Sequence, residues 1–149
     1  MCIRDSFIVD PWQIKESRSL GADCILLIMA ALSLNEAIIL EQEAKNFGMD
    51  VLVETHTKEE IEMANKLETL LVGINNRNLK TMEVDINNTL KLKNFIDPEK
   101  IIVAESGLKN NSDLQLLKEN GIQNFLIGES LMIEKDLTFA TKKILGLIN

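Results

Sequence analysis

Four short stretches hold the residues that could do chemistry. Val51-Leu52-Val53 ends in Glu54, and Val72-Gly73-Ile74 ends in Asn75, Asn76 and Arg77. Ile101-Ile102-Val103-Ala104 ends in Glu105, Ser106 and Gly107, and Phe125-Leu126-Ile127 ends in Gly128, Glu129 and Ser130. Each is an apolar run that stops at polar or small residues, the pattern of a buried strand closing on a turn. Two carboxylates near one another cannot both ionise freely, so one keeps a proton and can act as an acid or base near neutral pH. A guanidinium such as Arg77 can pair bidentately with a carboxylate or phosphate. Glycines at the ends of the last two runs let the backbone approach a ligand, and amide N–H groups there can cradle a phosphate.

Each residue also has a plainer reading. Glu54 fits a solvated strand-end charge, and Arg77 fits a surface ion-pair partner. Asn75 and Asn76 fit turn residues that bond local backbone. The two glycine corners fit ordinary core strands. His56, the only histidine, follows Glu54 and precedes a helix cap, and is read as a loop residue rather than a catalytic one. Lys80 and Lys109 read as solvated, and Met29, Met49, Met63 and Met82 as core or surface filler.

The elements that must position these residues alternate along the chain. Phe7-Ile8-Val9 reads as the end of a truncated first strand. Asp10-Pro11-Trp12-Gln13 opens a helix, with Asp as cap, Pro in the first turn and Gln closing the box. Strands are expected over Ala22–Met29, Asp50–Glu54, Leu70–Asn75, Ile101–Glu105 and Asn124–Ile127. Helices are expected from Ser33 to Phe47 with Ser33…Glu36 as capping box, from Thr57 with Thr57…Glu60 as its box, over Ile86–Phe95, over Ser112–Asn120 with Ser112…Gln115 as its box, and over Asp136–Leu147. Glu129-Ser130-Leu131-Met132 forms a short extra helix. Short βα connections imply right-handed crossovers and a parallel sheet, with ligands at the carboxyl ends of the strands. The fold class is α/β, an incomplete (β/α)₈ barrel of about strands 3–8. The chain has 149 residues, and a closed barrel of this kind takes ~250. Residues 1–6 lack a clear period and read as a foreign leader or assembly scar, leaving 7–149 as one partial barrel domain.

The formal charge of −7 argues against nucleic acid, which selects a basic face. The longest apolar run, Cys24 to Leu32, is short of the ~20 residues a membrane span takes. Cys2 and Cys24 make neither a disulfide framework nor a metal motif, which suits a reducing cytosol and a cytoplasmic location. The pattern itself sets no oligomeric state.

Six segments together resemble the indole-3-glycerol phosphate synthase family: Phe7 to Ile14, Ala22 to Ile28, Val51 to His56, Gly73 to Leu79, Glu105 to Leu108 and Leu126 to Met132. The run Gly73-Ile74-Asn75-Asn76-Arg77-Asn78-Leu79 is the most specific. The resemblance implies closure of the indole ring of 1-(2-carboxyphenylamino)-1-deoxyribulose 5-phosphate, with loss of carbon dioxide and water, in tryptophan biosynthesis. It implies a phosphorylated small-molecule substrate and no metal or organic cofactor. By the same resemblance Glu54 is the catalytic acid/base, Asn75 holds the sugar hydroxyls, Glu105 is a second active-site glutamate, and Arg77 faces the substrate carboxylate. Ser106, Gly107, Gly128 and Glu129 form the phosphate turns, with Glu129 acting through its backbone N–H. Leu108 and Leu131 lie near the substrate.

The family's proton-donating lysine sits in the strand just before the Phe7 position, where this chain has Asp5 and Ser6. Its first two strands, with a further glutamate and lysine, have no counterpart. The chain is therefore expected to carry the phosphate half of the site and to be inactive, or nearly so, alone. Two other readings compete. A related phosphate-binding barrel such as phosphoribosylanthranilate isomerase is opposed by Glu54 and the Asn75–Leu79 run. A non-catalytic sugar-phosphate-binding module that pairs two open sheets would bind substrate analogue as a dimer.

Overall fold

The computed structural model describes residues 2–148; Met1 and Asn149, the outer limits of the expected leader and barrel segment, lie outside the described residues. The strands are β1 (Ile3–Arg4), β2 (Cys24–Ile28), β3 (Asp50–Thr55), β4 (Leu71–Asn75), β5 (Ile101–Glu105) and β6 (Asn124–Leu126). All neighbouring pairs are parallel, and the order in the sheet is the order in the chain. That order arises when every crossover winds to the same side, as in a barrel wall, and not in a doubly wound sheet.

Among the described residues the helices are α1 (Pro11–Ser19), α2 (Leu34–Asn46), α3 (Lys58–Ala64), α4 (Asn87–Leu92), α5 (Asn111–Glu119), α6 (Glu129–Met132) and α7 (Leu137–Ile144). Asp10 and Gln13 close a capping box on α1, and Ser33 and Glu36 close one on α2. The short helix α6 lies where the sequence expects it. The box of α5 falls earlier than expected. Asn110 accepts from the Asp113 amide at 3.0 Å and Asp113 accepts from the Asn110 amide at 3.1 Å, so the helix starts at Asn111. Asn caps as well as Ser, and it comes first in the chain.

The first strand also moves. Phe7–Val9 is not in the sheet; Ile3 and Arg4 pair with Cys24 and Ile25 instead. The Gln13 side chain takes the backbone of the expected strand. Its Nε2 donates to Phe7 O at 3.0 Å, and its Oε1 accepts from Val9 N at 2.8 Å. A backbone engaged by a helix cap cannot also join a ladder. The sheet takes up residues 3 and 4 whatever their origin.

Strand residues alternate between faces. The outward set, including Ile25, Leu27, Val51, Val53, Val72 and Ile74, packs with Ile14, Ala37, Leu40, Ile61 and Ala64 from the helices. A second outward cluster joins Ala104 to Leu108, Leu114, Leu117, Ile122 and Ile144. Cys24, Leu26, Ile28, Leu52 and Val103 form a separate inner cluster without a helix in it, yet all are buried. The sheet curls so that its inner side chains cover one another, as half a barrel does. Burial on both faces is why the strands read as unbroken apolar runs.

Candidate active site

Register brings the predicted carboxylates to one place. Glu54 on β3 stands opposite Gly73 on β4, and Asn75 stands opposite Glu105 on β5. Residues two apart share a face, so Glu54, Gly73, Asn75 and Glu105 all belong to the inner face at the carboxyl end of the sheet. Glu54 is 5% exposed, Asn75 7% and Glu105 2%. A Cβ at Gly73 would stand 1.8 Å from Glu105 Oε1. The Glu105 carboxyl therefore occupies the space that any side chain at position 73 would fill, and it reaches across β4 toward Glu54.

Burial and the nearby charge of Glu54 push the Glu105 carboxyl up to about 9. Burial alone would also raise Glu54. The neighbouring His56, Asn75 and Glu105 side chains, with the positive charge of His56, outweigh it and hold Glu54 below its ordinary value. At neutral pH one carboxyl of the pair is charged and the other carries a proton, the division that acid–base chemistry uses. Glu105 Oε1 is buried with no hydrogen-bond partner among the described residues.

His56 lies in the connection between β3 and α3, as expected, and its ring is held there. Its Nε2 lies 3.2 Å from Glu54 Oε1 and its Nδ1 3.2 Å from Glu60 Oε2. The first contact is within ion-pair range, though off the line of a well-directed hydrogen bond. Burial would lower the imidazole, but the carboxylates of Glu54 and Glu60 overcome it and raise His56 to about 9. The Thr57…Glu60 spacing predicts a capping box on α3, and only half of it forms. Thr57 Oγ1 accepts from Glu60 N at 3.3 Å, while the Glu60 carboxylate accepts from His56 N at 2.7 Å and not from Thr57.

The connection after β4 is built around Asn76. Its Oδ1 accepts from Thr89 N at 3.1 Å and from Thr89 Oγ1 at 2.8 Å, and its Nδ2 donates to Ser106 O at 3.2 Å. Asn76 thus ties α4 to the end of β5. Asn75 Oδ1 accepts from Arg77 N at 2.9 Å, which leaves its NH₂ for Glu54. The connection folds back through a bridge between Arg77 and Val84. A Cβ at Gly107 would strike Val84 Cγ1 at 2.3 Å, and Gly107 has φ +76°, so glycine is required there twice over. Ser106 is also left-handed, at φ 61°, a conformation that costs a non-glycine residue.

The amide N–H groups of Gly107 and Gly128 meet no acceptor among the described residues. A Cβ at Gly128 would meet open space. The Glu129 carboxylate pairs with the Arg77 guanidinium, so here Arg77 already faces an anion of this chain. Leu108 is buried with Leu114, Leu117 and Ile144, and Leu131 packs against the same cluster. Ser130 Oγ donates to Leu108 O at 2.7 Å.

A cleft of about 390 Å³ runs along this rim, walled by His56, Glu60, Asn75, Asn76 and Arg77 and by the connection to α4. A depression of about 380 Å³ at the opposite end, beside Lys45, Glu68 and Thr69, holds none of these groups. Active sites in such sheets lie at the carboxyl ends, so the rim cleft is the candidate; Glu54, Glu105 and the Ser106, Gly107, Gly128 and Glu129 turns lie outside its lining. Among the described residues no three histidine, cysteine, aspartate or glutamate side chains gather as metal ligands, and no helix is long and apolar enough to cross a membrane. The sequence reading has Glu60 only as the closing residue of the α3 capping box, and Thr89 carries no local signal.

The chain matches the family model described as indole-3-glycerol phosphate synthase over residues 1–144. It is 50% identical over 144 residues to the enzyme of that name from Azospirillum brasilense, covering 97% of this chain and 55% of the relative. It is 46% identical over 143 residues to that of Legionella pneumophila, covering 96% and 55%. The chain spans about half the length of the curated relatives it matches. Among solved structures, 3-hexulose-6-phosphate synthase from Salmonella typhimurium superposes with TM-score 0.80 at 12% identity, over 97% of this chain and 71% of that one. KGPDC from Streptococcus mutans gives 0.78 at 15%, over 97% and 70%. At those identities the structural likeness speaks for the fold alone.

Proposed function

The chain belongs to the indole-3-glycerol phosphate synthase family, and from that premise we propose that it supplies the phosphate and paired-carboxylate part of a site closing the indole ring of 1-(2-carboxyphenylamino)-1-deoxyribulose 5-phosphate. One observation carries the reading. Two buried glutamates from separate strands meet across Gly73.

Ring closure makes a carbon–carbon bond between the aromatic ring and the sugar ketone. Carbon dioxide leaves, then water, so the step needs a proton for the ketone oxygen and a base to restore aromaticity. Glu54 has the charge for the base, and Glu105 holds a proton. Burial of both keeps water from competing for that proton. Asn75 holds the sugar hydroxyls, with its amide already set beside Glu54. Ser106, Gly107, Gly128 and the Glu129 backbone receive the phosphate, the two glycine N–H groups being free to donate. Arg77 takes the substrate carboxylate in exchange for the Glu129 side chain. Leu108 and Leu131 are the apolar residues near the substrate, packed in the cluster with Leu114 and Leu117. The setting is the cytoplasm.

Asp5, at the position of the family's donor lysine, is exposed at the end of β1. The neighbouring Arg4 guanidinium is held by Glu16 at 2.5 Å on α1, outside the sheet. An acid–base group contributes ~10²–10⁴-fold in rate, so the 149-residue chain binds without efficient turnover. Calorimetric titration with a non-reactive, reduced analogue of the substrate tests this. Binding that inorganic phosphate competes away, with no product from the true substrate, is expected. No analogue binding, or family-like turnover by this chain, would overturn it.

A further inference from the structure

Two glutamates in one buried pocket have no intrinsic reason to divide a proton in one direction. The groups around them must decide, and the asymmetry lies on the Glu54 side. There the His56 ring is gripped between two carboxylates, Glu54 Oε1 at 3.2 Å from Nε2 and Glu60 Oε2 at 3.2 Å from Nδ1. The side chains of His56, Glu54 and Glu60 are only 11%, 7% and 14% exposed. An ionised carboxylate accepts and never donates, while a neutral imidazole carries a proton on one nitrogen only. A ring whose Nδ1 bonds one carboxylate and whose Nε2 lies at ion-pair distance from a second is favoured as the imidazolium. Glu60 is fixed independently, because its carboxylate also accepts from His56 N at 2.7 Å.

We propose that His56, clamped by Glu60, is a positioning residue that keeps Glu54 charged and thereby leaves the pair's proton on Glu105. The proposal rests on reading Glu54 and Glu105 as the acid–base pair. It gives purpose to the half-formed capping box of α3: Glu60 leaves the Thr57 amide in order to hold the ring. Three groups act on His56 from the packed elements, Glu54 on β3, Glu60 on α3 and, more weakly, Glu105 on β5. Arg77, Lys80, Glu83 and Asp85 share the cleft wall with His56, and their two positive and two negative charges offset one another. The rise of the imidazole to about 9 agrees with the geometry.

His56 is the only histidine, so the imidazole ¹⁵N signals of the labelled 149-residue protein report it without assignment. Both nitrogens are expected to stay protonated through neutral pH, with a midpoint near 9. Glu60→Gln is expected to lower that midpoint by roughly one to three units. In His56→Gln the proton is expected to move from Glu105 toward Glu54, seen as exchanged titration behaviour of their carboxyl ¹³C signals. A purely structural histidine would not move those signals. A wild-type midpoint near the ordinary 6.5, a Glu60→Gln midpoint that does not shift, or a proton that stays on Glu105 in His56→Gln would each overturn the proposal. If His56→Gln does not fold, the wild-type and Glu60→Gln titrations still decide. Turnover plays no part in these readouts. Failure of the ring-closing reading would appear as absent analogue binding, with the titration unchanged.

Discussion

At the scale of single residues, Gly73 decides whether the two carboxyls can meet. Gly73→Ala places a methyl group 1.8 Å from Glu105 Oε1, so the carboxyl must withdraw. Chemical denaturation is expected to show a loss of roughly 1–3 kcal/mol from overpacking, and Glu105 is expected to titrate closer to an ordinary carboxyl. The buried proton sites also set a pH dependence. Glu105 and His56 both bind protons more tightly folded than unfolded, so each contribution is full below the ordinary value, 4.5 and 6.5, and is lost as pH rises through about 9. Glu54, held below its ordinary value, works the other way and gives up its contribution in acid. Unfolding midpoints measured across pH are therefore expected to fall from neutral to alkaline pH. The fall is expected to be shallower in Glu105→Gln, which cannot gain the charge; an unchanged slope would count against the buried acid. The placement of Glu54, Asn75 and Glu105 at one rim was legible because strand ends are legible, and the barrel rule selects those ends. His56 was not, because adjacency in sequence says nothing of which way a ring turns.

At the scale of elements, the loop after β4 depends on one amide. Asn76→Ala removes both acceptor bonds to Thr89 and leaves that buried amide N–H unpaired. The expected cost is on the order of 1–3 kcal/mol. Hydrogen exchange is expected to quicken in α4 and at the Ser106–Gly107 corner before it does in β2 and β3. Exchange that quickens evenly would argue against Asn76 as the tie. The sequence offered Asn76 as either a turn residue or a rim residue, and local spacing cannot separate the two when the partner, Thr89, lies 13 positions away. The capping boxes of α1 and α2 were legible because both halves are local. Those of α3 and α5 misled: in one the glutamate answers to His56, and in the other an earlier Asn–Asp pair takes the end of the helix. The strand expected at Phe7–Val9 failed for a related reason, since the cap residue Gln13 binds its backbone.

At the scale of the whole molecule, the sheet is open on both sides. Its edges are β1, two residues long, and β6, three residues long. Large apolar side chains stand in solvent near both: Phe7 at 61% and Trp12 at 63% exposure, Met132 at 83% and Ile133 at 75%. Open edges and exposed apolar surface favour association. Sedimentation is expected to give an apparent mass that rises with concentration, and a monomer at every concentration would contradict this. The βα alternation carried the architecture because each strand is buried on both faces and each helix is punctuated. The meeting of β3 and β5 across a glycine was not legible, because it depends on register. The most direct measurement is a carboxyl ¹³C titration of the glutamates, with Glu54 and Glu105 assigned from Glu54→Gln and Glu105→Gln. Glu105 is expected to keep its proton up to about 9 while Glu54 ionises below the ordinary 4.5. Two glutamates titrating together near 4.5 would contradict a shared, divided proton and the acid–base site built on it.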